Sequence, residues 1–422
     1  MSSSNKANLN FLYAISIAAL IFLIVITAVN PNPPLFDEIF YFKNMALFEK
    51  HGLSKKFLLE IYEQAPGPLY QIVHTVLKPV TNLKVPGIRL VNVVFFLLVI
   101  VNLFYILRWV GYKAEPRLIL SLNLVAVPVV WQTAGMALSE MPAMFFATFS
   151  MVLICRTFSL KDKKLFSAGL GLLAGISLGL SILGRSPFLL IIPASVILIF
   201  NPFGKEKISV PPMVYVFFIV GAILTCFPVF FVWKGMVPPH VATKVAKGAL
   251  KPWHGILAFA YTSIITLIVN PKWLRINRKT IFWLTGAYIV LLTANYFWLH
   301  LKYHPLTIFL SKILPEVVMS IYPHLISPVL MLFAGLFMVR LGQKLWEERN
   351  NRFYLFIGIS LALILISCIN IKHLFSSRYV AQAAPFIVLI ISENDSPTKG
   401  KIVRTLIGIS IGYISLSTYV NP

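Results

Sequence analysis

Apolar runs of membrane length alternate with short polar connections along almost the whole chain, a pattern that predicts helices crossing a bilayer. Each crossing takes about 20 apolar residues, or about 17 at the short end. Candidate runs are Phe11–Val29, Ile88–Leu107, Leu118–Gln132, Pro142–Cys155, Leu165–Leu183, Pro187–Phe200, Pro212–Trp233, Ile256–Val269, Ile281–Leu299, Ile326–Leu341, Phe353–Ile371, Tyr379–Ile391 and Thr405–Tyr419. The shorter runs are expected to be buried among the others or to be half-spans. The pattern therefore predicts an all-α polytopic membrane protein of about 11–13 transmembrane helices. One integral-membrane domain over residues 1–422 is expected, without a soluble domain, internal repeat or low-complexity segment. Phe11–Val29 is too long for a signal-peptide core and lacks a small-residue cleavage site, so it reads as a membrane anchor.

Basic residues gather in every second connection: Arg108, Lys113 and Arg117; Arg156, Lys161, Lys163 and Lys164; Lys205 and Lys207; Lys272, Arg275, Arg278 and Lys279; Arg340, Lys344, Arg349 and Arg352; Lys399, Lys401 and Arg404. The positive-inside rule places these connections in the cytoplasm, with the amino terminus on the same side. All eight histidines then fall in or beside the opposite loops, as do Asp37, Glu38, Glu140, Arg185, Lys302 and Arg378. The polar chemistry is expected on the non-cytoplasmic face.

The longest connection between the first spans is Pro31–Arg89, of which residues 31–87 are read as an external catalytic loop. Within it, Glu38–Glu49 and Lys55–Glu63 mix apolar and charged positions as interfacial helices do, with Phe40, Met45, Phe48, Phe57, Leu58 and Tyr62 toward lipid or the bundle. Pro66, Gly67 and Pro68 break the chain and return it to the membrane.

Composition sharpens the class. The 422 residues are 58% hydrophobic and 12% charged, with a net charge of +23. Soluble proteins carry about 25% charged residues. A basic face that binds nucleic acid should be contiguous, whereas these cations are scattered between apolar runs, so no nucleic-acid partner is expected. Cys155, Cys226 and Cys368 lie inside apolar runs and read as small core hydrophobes.

Asp37 and Glu38 stand just beyond the first span, and Glu140 sits alone in a short external turn. An ionisable group at such a place is a functional-site candidate. Two acidic positions at separate helix ends can meet over one substrate, and a carboxylate there can take a proton from an attacking hydroxyl. Arg185, in Ile-Leu-Gly-Arg-Ser-Pro, and Arg378, in Ser-Ser-Arg-Tyr-Val, offer planar forks suited to phosphate oxygens. Solvation at the interface is the plain alternative for the carboxylates, and snorkelling to headgroups for Arg185. His300 and His304 share a helical spacing, but no third ligand or carboxylate accompanies them, so neither metal nor cofactor is expected. No phosphate-cradling glycine motif occurs in a strand-turn-helix context.

The run Pro-Leu-Phe-Asp-Glu-Ile-Phe, then Pro-Gly-Pro-Leu-Tyr ending at Tyr70, then Ile-Arg-Leu-Val-Asn-Val-Val, resembles the α-1,2-glucosyltransferases that use dolichyl phosphate glucose. The likeness continues through Ser-Glu-Met-Pro-Ala-Met-Phe-Phe at Glu140, the Arg185 site, Lys-Gly-Met-Val-Pro-Pro-His ending at His240, and Arg378-Tyr379 before Pro385. It implies a polytopic C-type glycosyltransferase with a polyprenyl- or dolichyl-phosphate sugar donor, inversion at the anomeric carbon, and a glycan or lipid-linked acceptor. Asp37, Glu38 and Glu140 would then be catalytic, with Arg185, His240, Arg378, Tyr379 and Tyr70 around the donor phosphate and substrate. Pro68, and Ser-Pro after Arg185, depart from the family pattern, and the chain is shorter than eukaryotic members. A prokaryotic relative in the plasma (inner) membrane is expected, or the endoplasmic reticulum membrane if eukaryotic. The competing class is a transporter or flippase of lipid-linked or anionic solutes, whose paired inverted halves are not seen; a second enzyme rival is a lipid A or protein sugar transferase of the same superfamily, which differs in acceptor.

Overall fold

The computed structural model describes residues 3–64, 67–110, 112, 114–160, 163–200, 210–246, 248–303, 305, 307–393 and 395–420. Of the residues singled out above, Pro66, Lys113, Lys161, Lys205, Lys207 and His304 lie outside this set. The described regular structure is helical throughout, with no strand.

Nine described helices are long and apolar enough to cross a membrane: Asn5–Ala28, Gly87–Trp109, Lys164–Gly184, Pro212–Trp233, Pro252–Val269, Arg278–Leu299, Glu316–Glu347, Arg352–Asn370 and Lys399–Tyr419. The protein is an integral, multi-pass membrane protein. The other four predicted runs are helical but short, bent or less apolar. Leu118–Gln132 is split into Pro116–Ala126 and Val129–Gly135, bent by 82°, because Pro128 lacks the N–H that would continue the ladder and its ring crowds the preceding turn. Pro142–Cys155 lies on Glu140–Thr157, which carries a charge near each end. Pro187–Phe200 becomes the short apolar stretch Ser186–Leu198. Tyr379–Ile391 is divided into Arg378–Ala381 and Ala384–Ile391, the latter wholly buried.

Broken helices are tolerated at membrane depth only when other groups satisfy the freed backbone. Here a buried amide does so. Asn92 Nδ2, on Gly87–Trp109, donates to the carbonyls of Met136 (2.6 Å), Leu138 (2.7 Å) and Thr133 (3.3 Å).

With lipid as apolar as leucine, helix pairs hold by close packing of small residues. Gly171, Gly175 and Gly179 line one stripe of Lys164–Gly184 and meet Val214, Phe218, Ala222 and Thr225 on Pro212–Trp233. A Cβ at Gly175 would overlap the Phe218 carbonyl, and one at Gly221 the Leu172 carbonyl.

The long loop holds two helices where interfacial helices were read, with somewhat different bounds. Its helices Asp37–His51 and Lys55–Glu60 bury Met45, Phe57 and Leu58, and the Trp233 indole donates to the Leu58 carbonyl at 2.7 Å. At the other end of the bundle the charges are stapled together. Lys344 pairs with Glu348 (2.9 Å) and Glu393 (2.6 Å), Arg340 with Glu347 (3.2 Å), and Lys401 with Asp395 (2.5 Å). Asn270 Nδ2 donates to the carbonyls of Ile391 (2.6 Å) and Glu393 (2.8 Å).

Candidate active site

Asp37 and Glu38 open a helix, where free backbone N–H groups favour negative charge. Adjacent helical residues point in different directions, and the two carboxylates have different surroundings. Glu38 is fully buried. Arg89 grips it with both arms of the fork, Nε to Oε1 at 2.9 Å and Nη2 to Oε2 at 2.7 Å. The Leu35 N–H (2.9 Å) and Ala137 N–H (2.6 Å) also donate to it. Arg89 in turn donates to the carbonyls of Asn32 (3.1 Å) and Pro33 (3.2 Å). Glu38 thus ties three segments together with both oxygens engaged, while Asp37 keeps 39% of its side chain exposed.

Asp37, Glu140, Arg185 and Arg378 come from four distant parts of the chain and form one chain of ion pairs. Asp37 Oδ2 pairs with Arg378 Nη2, Glu140 Oε1 pairs with Arg185 Nη2, and Arg378 Nε stands 3.9 Å from the same Glu140 oxygen. The charges cancel, two against two. Glu140 is fully buried at the start of its helix, and an unpaired buried carboxylate would cost several kcal/mol. Arg185 is the extended residue that ends Lys164–Gly184. It is reached closely because Gly184 lies against Leu69 and Ala143, and Gly67 against the Leu183 backbone. For Arg378, burial disfavours the charged form, but the Glu140 and Asp37 carboxylates outweigh it and push the pKa above the ordinary guanidinium value. The pairing is incomplete: Glu140 Oε2, Arg185 Nε and Arg378 Nε are buried without a hydrogen bond.

Aromatic side chains back this cluster. The Tyr41 hydroxyl meets Ser139 Oγ at 2.8 Å, one residue from Glu140. Tyr70 lies on Tyr41 with ring centroids 4.5 Å apart, and His74 on Tyr70 at 4.1 Å. Burial pushes both tyrosine hydroxyls up and His74 down to about 3, so all three are neutral at pH 7. Tyr379 lies under Arg378, its ring centroid 5.7 Å from the guanidinium carbon.

The structure therefore brings Asp37, Glu140, Arg185 and Arg378 together, with Tyr379 beside them and Tyr70 one ring away. Glu38 is set apart by Arg89. His240 lies half-buried on Pro239–Ala246, and none of these ion pairs runs to it. Among the described residues no three His, Cys, Asp or Glu side chains gather as a metal site would need. Sequence reasoning passed over Tyr41 and gave no role to Arg89, Asn92 and Ser139, although all three stand in the motifs that carry the family resemblance. A cation at the head of an apolar span was a further signal for Arg89.

The chain is an all-helical membrane bundle with charged groups converging beside its first long loop, and its family match sets it among the polytopic glycosyltransferases that draw on polyprenyl-phosphate-linked substrates. Residues 12–238 match the family described as dolichyl-phosphate-mannose-protein mannosyltransferase, and the chain belongs to that family. The matched region holds Asp37, Glu38, Glu140 and Arg185 and ends before His240 and Arg378. No curated protein matches the chain. Among solved structures it is similar to ArnT from Cupriavidus metallidurans bound to undecaprenyl phosphate, at 14% identity over 90% of this chain and 76% of that one, with a TM-score of 0.42. It is also similar to the archaeal oligosaccharyltransferase AglB from Archaeoglobus fulgidus in complex with an inhibitory peptide and a dolichol-phosphate. That match has 12% identity over 97% of this chain and 56% of that one, with a TM-score of 0.43.

Proposed function

We propose that the protein is an inverting hexosyltransferase that moves a sugar, glucose first among candidates, from a polyprenyl- or dolichyl-phosphate donor to a hydroxyl of a glycan or lipid-linked acceptor. The reaction is assigned to the non-cytoplasmic face, with residues 31–87 as the catalytic loop. The observation that carries this reading is the convergence of Asp37, Glu140, Arg185 and Arg378, a carboxylate open to solvent next to guanidiniums suited to a phosphate.

In the proposed displacement Asp37 accepts the proton of the acceptor hydroxyl as its oxygen attacks the anomeric carbon. The bond from that carbon to the phosphate oxygen breaks, and the lipid phosphate leaves with one more negative charge. Arg185 and Arg378 stabilise that charge as it develops, so no strong general acid is needed. Glu38, saturated by Arg89 and two backbone N–H groups, positions Asp37 in this scheme, and Glu140 holds the two arginines in place. Tyr379 and Tyr70 would line the substrate, and His240 remains a candidate phosphate contact from the sequence pattern.

The family's description names dolichyl phosphate mannose as donor and protein as acceptor, which makes mannose transfer to protein the second reading. Membranes containing the protein, offered radiolabelled polyprenyl-phosphate glucose or mannose, separate the two by which label moves and whether it enters glycan, lipid or protein. Asp37→Asn should abolish transfer while the protein still inserts. Turnover near the wild-type rate in that variant would remove Asp37 from the chemistry, and movement of intact donor without transfer would favour a flippase.

A further inference from the structure

The candidate base is not free in this structure. Asp37 is paired with Arg378, one of the two cations that the proposed mechanism assigns to the donor phosphate. The other cation, Arg185, is engaged by Glu140, so the cluster is electrically closed on itself.

The two halves differ in access. Glu140 is fully buried and Arg185 keeps 10% of its side chain exposed, whereas Arg378 keeps 18% and Asp37 39%. An anion arriving from outside meets the Asp37–Arg378 pair first. Unused hydrogen-bonding capacity lies behind that pair, since Arg378 Nε and Arg185 Nε are buried without acceptors. A phosphodiester carries one negative charge, and placing it on Arg378 beside a carboxylate already held there would set two anions against one fork. Like charges at that range repel, less strongly here because Asp37 stays 39% exposed, so the two anions compete for the one fork.

We infer that Arg378 is a two-position switch: it holds Asp37 in the resting protein and passes to the donor phosphate on binding, so that the donor itself uncovers the base. This rests on the function proposed above. The cycle closes in the same terms. After transfer Asp37 carries the acceptor's proton and no longer competes for Arg378, which stays with the now doubly charged lipid phosphate. Loss of that proton to water restores the carboxylate, re-forms the Asp37–Arg378 pair and helps expel the product.

The test uses the full-length protein in lipid nanodiscs and polyprenyl monophosphate, the product without a sugar, so that binding is read without chemistry. If Asp37 competes for Arg378, Asp37→Asn binds polyprenyl phosphate about two- to fivefold more tightly than wild type, the range expected for loss of one partly exposed ion pair. Asp37→Ala gives the same direction and guards against a defect peculiar to the amide. In an Arg378→Gln background, where binding is weaker, Asp37→Asn brings no further gain. Unchanged affinity in both Asp37 variants overturns the switch. So does equal tightening with and without Arg378, which would mean simple repulsion through space. In either case the base role survives if Asp37→Asn still abolishes transfer. Failure of the wild-type protein and every variant to bind polyprenyl phosphate sinks both the switch and the donor assignment.

Discussion

Arg89→Met isolates the buried pair on which the placement of Asp37 depends. The Arg89 and Glu38 side chains are 2% and 0% exposed. Methionine fills a similar length but removes both arms of the fork and the donors to Asn32 and Pro33. Glu38 is left charged with only the Leu35 and Ala137 N–H groups. Breaking one side of a buried ion pair costs about 3–5 kcal/mol, and equilibrium unfolding in mixed micelles reads that loss. Adding Glu38→Gln neutralises the stranded charge and keeps an amide oxygen for one N–H, so the double variant should recover about 2 kcal/mol. Transfer activity should stay low in both, because the 32–38 segment is no longer tied to Gly87–Trp109. A single variant within about 1 kcal/mol of wild type, or a double variant less stable than the single, would refute the view that Glu38 and Arg89 form a structural clasp.

Two further predictions concern packing and pH. Gly175→Leu should destabilise by about 3 kcal/mol, since its side chain would overlap the Phe218 backbone, whereas Gly169→Leu, facing open space, should leave the unfolding midpoint unchanged. His74 titrates near 6.5 when unfolded and is pushed down to about 3 by burial. Its neutral form is favoured by folding, so this contribution is complete above pH 6.5 and is lost as the pH falls below it. Between pH 7 and pH 5 the wild type should therefore lose about 2 kcal/mol more than His74→Phe, which unfolding at the two pH values would show.

The spans and the acidic positions were legible because a membrane imposes a coarse code: long apolar runs, with any charge beside them conspicuous. Pro128 stood in an apolar run whose composition predicted one crossing; the proline was a local signal for the break that the sequence reading did not use. Asp37 and Glu38 were indistinguishable as neighbours. Their separate surroundings arise from Arg89, 51 positions further along the chain, and from the Ala137 backbone, 99 positions away. Arg185 and Arg378 could each have snorkelled to headgroups; that both reach Glu140 is a property of the assembled bundle. Asn92 stood in a motif of the family resemblance, but its role was not legible, because its partners are main-chain carbonyls, which every residue possesses.

The staples among Arg340, Lys344, Glu347, Glu348 and Glu393 give the bundle a fastened base, while the opposite rim keeps unmatched donors and acceptors around Glu140 and Arg378. Like tongs riveted at one end, such a body gives way at its jaws. Reshuffling to admit a lipid-borne cargo should stay within the rim, leaving the riveted floor sealed against leakage of ions through the bilayer.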